Sequence, residues 1–237
     1  MKQLTEVELL GDSILKGIQP DESTGKYMVR NDIDISGLSR EFGLTVHNSS
    51  HFGSTVVKGG RLLDRMLERG MVCDAVVMDF GGNDCDFQWA EVAADPEGEH
   101  RPNVPPMEFL ERYRAVVRKL KGRGIVSVLA TLPPLEPQRF FDWWCRDLDK
   151  DAVERWLGSI SAIYAHQERY SLLVEQLARE ERVPLADLRS AFLTHGRLGT
   201  LICEDGTHPN SAGQAVITQA FRKLGLHWDE ELQRATA

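Results

Sequence analysis

The chain has 237 residues and a formal net charge of −8, with 42% hydrophobic and 27% charged residues. This length suits one α/β domain with a substantial core or two small domains, and the composition is ordinary for a globular protein. The negative net charge argues against a nucleic-acid or anionic-membrane partner, because such partners need a basic surface.

Segments typical of strands and of helices alternate along the chain, which predicts a parallel sheet covered by helices. The five predicted strands are Glu6–Leu10, Leu44–Asn48, Ala75–Phe80, Ile125–Ala130 and Val183–Leu188. The predicted helices, placed by apolar residues at helical spacing, are Thr55–Arg69, Met107–Lys121, Ser161–Glu180 and Ser211–Leu224. The last helix begins with a Ser-x-x-Gln capping box at residues 211 and 214.

No repeat, low-complexity tract or linker divides the chain, so we expect a single domain over residues 1–237. Two segments, near residues 84–106 and 133–159, exceed the usual length of a loop, and long insertions of this kind commonly carry function. Their aromatic side chains either contact a substrate or pack the loops onto the domain. The candidate substrate contacts are Trp89, Phe140, Trp143 and Trp144.

The first predicted strand ends in Gly-Asp-Ser-Ile at residues 11–14. A glycine there permits a tight turn, and Ser13 then lies at the carboxyl end of the strand, where open α/β sheets bind ligands. A serine becomes a nucleophile when an imidazole takes its proton and an acceptor holds the other ring nitrogen. Asp205 and His208 lie three residues apart in a glycine-containing turn before the last helix. An isolated Asp-x-x-His is more often an ordinary turn. The pair is a candidate catalytic pair only because the chain also contains Ser13 at a predicted strand end.

Acyl transfer also requires hydrogen-bond donors to the oxyanion that forms on the substrate. The third strand ends in Gly-Gly-Asn-Asp at residues 81–84, where Asn83 offers a side-chain amide. The second strand leads to Gly53, which offers a backbone N–H. In a sheet of strand order 2-1-3-4-5, the ends of the first three strands lie side by side, so both donors are expected near Ser13.

Four short motifs follow one another between Gly11 and Asn210, and they contain Ser13, Gly53, Asn83 and His208. In this order they resemble the motifs of the GDSL/SGNH hydrolase family, which is named for a catalytic Ser, Gly, Asn and His. The resemblance implies a flavodoxin-like, three-layer α/β/α sandwich with a five-stranded parallel sheet. It implies that Ser13 is the nucleophile and His208 the general base, oriented by Asp205. The implied oxyanion hole consists of the Ser13 N–H, the Gly53 N–H and the Asn83 side chain. Ile14 replaces the leucine of the usual motif.

The resemblance implies a serine esterase or acylhydrolase that cleaves small carboxylic esters, with short acyl or acetyl groups, through an acyl-enzyme. No cofactor and no metal are expected. An acyltransferase with a sugar or alcohol acceptor is an alternative, and so is a carbohydrate-binding relative without turnover. A pure binding module has no need of nucleophile, base and oxyanion donors together, which argues against the second alternative.

The location of the protein is inferred from what its sequence lacks. The N-terminus has no secretion signal, and no apolar run is long enough to span a membrane. The cysteines are irregularly spaced and form no metal-binding pattern, at positions 73, 85, 145 and 203. Reduced thiols in a cytoplasmic protein are therefore the expectation.

Overall fold

The computed structural model describes residues 4–21, 23–30 and 32–236. The strands are β1 (Glu6–Gly11), β2 (Ile18–Pro20), β3 (Tyr27–Val29), β4 (Thr45–Asn48), β5 (Ala75–Asp79), β6 (Val126–Ala130) and β7 (Leu185–Ala186). The helices are α1 (Ser13–Lys16), α2 (Ile35–Phe42), α3 (Val56–Glu68), α4 (Trp89–Ala94), α5 (Pro106–Lys121), α6 (Pro137–Trp144), α7 (Lys150–Leu157), α8 (Ser161–Glu181), α9 (Leu188–Thr194), α10 (Ser211–Leu226) and α11 (Trp228–Thr236). A 3-10 helix covers Leu198–Thr200.

The main sheet has five parallel strands in the order β4-β1-β5-β6-β7. Counted along this sheet alone, that order is 2-1-3-4-5, so the predicted topology is confirmed. Every residue of β5 is buried, as the apolar run of its sequence indicates for a central strand covered on both faces.

Helices cover both faces of the sheet. On one face, alternate residues of β5 such as Val76 and Met78 pack in a core with Leu63 of α3, Tyr113 of α5 and Val174 of α8. On the other face, apolar side chains of β1, β5 and β6 pack against α2, α10 and α11. These side chains are Val7, Leu9, Val77 and Val128. The predicted three-layer α/β/α sandwich is therefore confirmed.

The two segments that we expected to be long loops are partly helical. The segment near residues 84–106 contains α4, and the segment near 133–159 contains α6 and α7. Their apolar side chains form a separate core cluster with the start of α8, which includes Trp89, Phe141, Val153 and Ile163. A proline in the first turn of α6, Pro137, fixes a backbone angle suited to a helix start.

An antiparallel hairpin of β2 and β3 lies outside the main sheet and was not predicted. Each strand has three residues, and Met28 and Val29 are exposed, so the hairpin has almost no alternating apolar pattern. Backbone hydrogen bonds attach it to the end of α1, since the Arg30 N–H donates to the Gly17 carbonyl at 2.7 Å.

The predicted capping box of the last long helix is wrong. Asn210 caps α10, because its side chain accepts hydrogen bonds from the N–H groups of Ala212 and Gly213. The Ser211 hydroxyl donates instead to Asp32 at 2.6 Å. In the described part of the chain, no helix combines the length and hydropathy that crossing a membrane requires.

Candidate active site

Ser13 directly follows the turn at the carboxyl end of β1. Gly11 pairs with Asp79 of β5, and a Cβ atom on Gly11 would lie only 2.9 Å from the Asp79 carbonyl oxygen, so the position requires glycine. The Asp12 side chain accepts a hydrogen bond from the Ile14 N–H at 2.8 Å and caps α1. Ser13 is 6% exposed and lines a cleft of about 190 Å³.

A continuous chain of hydrogen bonds joins the predicted serine, histidine and aspartate. His208 Nε2 lies 2.8 Å from Ser13 Oγ, and His208 Nδ1 lies 2.6 Å from Asp205 Oδ2. The other oxygen of Asp205 accepts hydrogen bonds from the N–H groups of Thr207 and His208, both at 3.0 Å. Asp205 is fully buried and His208 is 3% exposed, so the polar chain is shielded from solvent.

Asp205 is held as a carboxylate despite its burial. Burial by itself raises the pKa of this carboxyl, but the hydrogen bond and the charge interaction with His208, together with the two backbone N–H donors, outweigh it. The pKa of Asp205 therefore lies below its ordinary value. An ionised Asp205 can orient the imidazole and stabilise its protonated form.

The turn that carries Asp205 and His208 packs directly against the start of α6. Gly206 has φ +73°, and a Cβ atom there would lie 2.2 Å from the Phe140 backbone nitrogen. The Glu136 N–H donates to the Gly206 carbonyl at 2.8 Å. The segment predicted as a loop thus fixes the turn that holds the histidine.

The two predicted oxyanion donors follow β4 and β5, the strands that flank β1 in the sheet, and of the two only Asn83 is among the described residues that line the cleft. Asn83 lines the cleft, and its Nδ2 donates to Asp12 Oδ2 at 2.9 Å, which leaves its second N–H for another acceptor. The loop after β4 is tied to the nucleophile turn because the His51 N–H donates to the Gly11 carbonyl at 3.1 Å. Phe52 in this loop lines the cleft, and Gly53 follows it.

Buried carboxyl groups lie behind the nucleophile. Burial raises the pKa of Asp12 to about 6 and that of Asp84 to about 7. Burial and the nearby charge of Asp12 raise the pKa of Asp79 well above its ordinary value. Across the described residues, no group of three or more His, Cys, Asp or Glu side chains is arranged to hold a metal ion.

The aromatic candidates from the sequence do not all lie together. Phe140 and Trp144 line the cleft with Ser13 and His208. Trp89 is buried beside Phe140, and its Nε1 donates to Asp86 at 2.8 Å. Trp143 lies on a separate, polar groove outside the cleft.

Sequence reasoning missed Tyr27 of β3. Its hydroxyl donates to Asp205 Oδ2 at 3.1 Å, the same oxygen that His208 contacts. The Tyr27 ring lies between Phe52 and Trp144, with centroid distances of 5.2 and 6.1 Å. Burial and the negative charge of Asp205 raise the pKa of Tyr27, so this phenol remains a donor. No motif marks this position, because the hairpin itself has no clear sequence pattern.

Comparisons with known proteins identify a matching family model and solved structures of the same fold. The family model described as GDSL-like lipase/acylhydrolase matches residues 9–216. A search of curated proteins finds no match to the chain.

Several solved structures share the fold. The lipase/acylhydrolase from Enterococcus faecalis is 17% identical, with a TM-score of 0.66, and the match covers 94% of this chain and 97% of that one. An alpha/beta hydrolase enzyme from the metagenome of Lake Arreo, Spain, is 22% identical, with a TM-score of 0.66 and coverages of 93% and 94%. An acetylxylan esterase from Geobacillus stearothermophilus is 20% identical, with a TM-score of 0.61 and coverages of 93% and 94%. Because the family model spans most of the sequence, the chain belongs to the GDSL-like lipase/acylhydrolase family and is a carboxylic ester hydrolase.

Proposed function

We propose that the protein hydrolyses short acyl esters through an acyl-enzyme, with Ser13 as nucleophile, His208 as general base and Asp205 as its orienting group. The observation that carries the proposal is the hydrogen-bonded chain from Ser13 Oγ through both ring nitrogens of His208 to Asp205. A serine in such a chain can lose its proton to the imidazole as it attacks a carbonyl carbon.

The chemistry proceeds in two halves. Ser13 Oγ attacks the ester carbonyl while His208 Nε2 takes its proton, and the resulting oxyanion accepts hydrogen bonds from the Ser13 N–H, the Gly53 N–H and the Asn83 amide. His208 then donates that proton to the leaving alcohol, and the acyl group stays on Ser13. In the second half, His208 activates a water molecule, which releases the carboxylic acid and restores the serine.

The size of the cleft favours a short acyl group. Its volume is about 190 Å³, and Phe52, Phe140 and Trp144 are among its walls. The structurally similar acetylxylan esterase from Geobacillus stearothermophilus supports the same substrate class, since acetylxylan is an acetyl ester.

Replacing Ser13 with alanine tests the proposal. We expect kcat for p-nitrophenyl acetate to fall by roughly 10³-fold or more in Ser13→Ala, with an unchanged thermal unfolding midpoint. Ser39→Ala on α2 is the matched control, because Ser39 lies outside the cleft, and should keep full activity. Retention of the parent rate in Ser13→Ala, or no turnover of short acyl esters by the parent protein, would refute the proposal.

A further inference from the structure

A second cavity, of about 350 Å³, adjoins the cleft that contains Ser13. We call it the side cavity. It lies among α4, α6, α7 and α8, and the residues that line both spaces form the border between them. These are Gly82, Asp86, Phe140, Gln167 and Thr207. Of these five residues only Asp86 has an ionisable side chain, so its charge acts on a ligand in either space.

The carboxylate of Asp86 has one oxygen held by the protein and one open oxygen. Oδ1 accepts hydrogen bonds from Trp89 Nε1 at 2.8 Å and from the Phe87 N–H at 2.9 Å. Oδ2 has no hydrogen-bond partner within the described part of the chain, but unlike Gln167 Oε1 it is not enclosed by the protein. Because Asp86 is partly exposed, a ligand can reach this oxygen.

The other carboxyl groups of the cleft are not open in this way. Asp12 is 3% exposed, and its two oxygens accept the Ile14 N–H and the Asn83 amide. Asp79 is 2% exposed, and its Oδ2 is enclosed. Asp86 is therefore the carboxylate of the cleft with which a ligand can interact directly.

Asp86 is ionised in alkaline solution without a cation beside it. Burial raises its pKa to about 6, and the groups that oppose this shift are the Trp89 and Phe87 donors rather than a cation. Among the described residues that line the two spaces, Arg169 is the one permanent cation, and its charge acts on His166 instead. A largely buried carboxylate without a counter-charge is unfavourable, so a cationic ligand is favoured here.

Aromatic rings surround the open carboxylate. Phe140 lines both spaces, and the rings that line one of them are Phe52, Trp144, Phe87, Trp89 and Trp156. The face of an aromatic ring attracts a cation, and aromatic rings together with a negative charge form a typical binding site for quaternary ammonium groups. The same carboxylate repels an anion, and it gives no advantage to a neutral alkyl chain. Charge and walls together therefore favour a ligand that carries an ammonium group.

We propose that Asp86 is a specificity-determining residue, and that its carboxylate binds an ammonium group of the ester substrate, which the aromatic rings of the cleft and the side cavity enclose. The proposal deepens the ester hydrolase function above and rests on it. The ammonium group belongs either to the alcohol or to the acyl part of the ester, and the experiment distinguishes the two.

Two pairs of esters test the proposal, and within each pair a quaternary nitrogen is replaced by carbon. Acetylcholine and 3,3-dimethylbutyl acetate differ in the alcohol, whereas betaine ethyl ester and ethyl 3,3-dimethylbutanoate differ in the acyl group. The ratio of kcat/KM for the charged ester to that for the neutral ester is measured at pH 8 in the parent and in Asp86→Asn. Comparing the two proteins cancels differences in the intrinsic reactivity of the esters.

We expect this ratio to fall by about 10-fold or more in Asp86→Asn for one of the two pairs, because the variant removes one partner of a largely buried charge pair. The pair that responds shows which part of the ester carries the ammonium group. Asp95→Asn is the matched control, since Asp95 is exposed at the end of α4 outside both spaces and its loss changes the net charge equally. Its ratios should equal those of the parent.

A measurement on the parent alone keeps the test valid if Asp86→Asn is unstable in thermal unfolding. Tetramethylammonium chloride should inhibit hydrolysis of the preferred charged ester more strongly than hydrolysis of its neutral counterpart, relative to sodium chloride at the same concentration. Equal inhibition of the two esters would overturn the proposal. So would ratios that are equal in the parent, Asp86→Asn and Asp95→Asn for both pairs.

Hydrolysis of p-nitrophenyl acetate by the parent reports separately on the hydrolase function. No turnover of this ester or of the four test esters would refute that function and the proposal with it. Turnover of p-nitrophenyl acetate, combined with equal ratios in the three proteins, would overturn only the role of Asp86.

Discussion

Asp205 accepts four hydrogen bonds through its two carboxylate oxygens. Two come from backbone N–H groups to Oδ1, while the imidazole of His208 and the hydroxyl of Tyr27 share Oδ2. The hydrogen bond from the Tyr27 hydroxyl partly neutralises the negative charge on Oδ2. Tyr27 therefore weakens the stabilisation that Asp205 gives to a protonated His208. If His208 is the general base, as we propose, Tyr27 is a positioning residue for the Asp205–His208 pair.

Tyr27→Phe removes this competing hydroxyl while keeping the ring. We expect the acid limb of the kcat/KM profile to move to higher pH, by less than about one unit. Without the tyrosine hydrogen bond, the negative charge on Oδ2 stabilises the imidazolium more strongly. The measurement is kcat/KM for p-nitrophenyl acetate between pH 5 and pH 9. Tyr164→Phe, on α8 outside the cleft, is the control. An acid limb that stays in place, or moves equally in both variants, would show that Tyr27 only packs against its neighbours.

The sequence predicts Ser13, Asp205 and His208 because each lies in a motif at a predicted strand end or helix start. It does not separate Trp143 from Trp144. In the helix α6, adjacent residues point about 100° apart, so Trp144 faces the cleft while Trp143 lies on another groove. The sequence of this segment favours a loop, and a loop has no periodicity from which the two directions could be predicted.

The buried carboxyl group of Asp84 connects the loop after β5 to the start of α3. Asp84 is fully buried, and its two oxygens accept the Val56 N–H at 2.9 and 3.2 Å. Burial raises the pKa of Asp84 to about 7. Over the range between an ordinary carboxyl pKa and pH 7, this group is ionised in the unfolded chain and protonated in the folded one.

Asp84→Asn tests this linkage. As the pH rises from 4 to 7, ionisation of Asp84 stabilises only the unfolded state, so the folded parent protein loses stability from this group. Asparagine keeps a carbonyl acceptor for Val56 and does not titrate. We expect the free energy of unfolding of Asp84→Asn to rise relative to that of the parent between pH 4 and pH 7, as measured by urea unfolding. A difference that is constant over this range would contradict the raised pKa.

The helices inserted between strands are the elements that the sequence analysis described least well. Proline in the first turn marks the starts of α5 and α6, at Pro106 and Pro137, and is a usable signal for a helix start. The helices α4, α6 and α7 have six to eight residues, too few for periodicity to stand out from the aromatic composition around them. Their positions depend on packing against one another and against α8, which only the folded chain specifies.

Across the whole molecule, the candidate site depends on bringing together segments that are up to 195 positions apart, from Ser13 to His208. Alternating strand and helix patterns predict a parallel sheet, and the strand order expected for the family places the ends of β1, β4 and β5 side by side. The layers and the site are therefore largely predictable from the sequence. The cavity of about 350 Å³ among α4, α6, α7 and α8 is not, because it forms where inserted helices from two distant segments meet.

We propose that this sheet edge activates one serine, Ser13, as a nucleophile toward acyl groups. A fluorophosphonate ester, which forms a stable adduct with an activated serine, tests it most directly, with mass mapping of the labelled peptides. We predict one adduct per chain on the peptide that contains Ser13, slowed by p-nitrophenyl acetate and absent from Ser13→Ala and His208→Ala. An adduct on another residue, or labelling that persists in Ser13→Ala, would contradict the account.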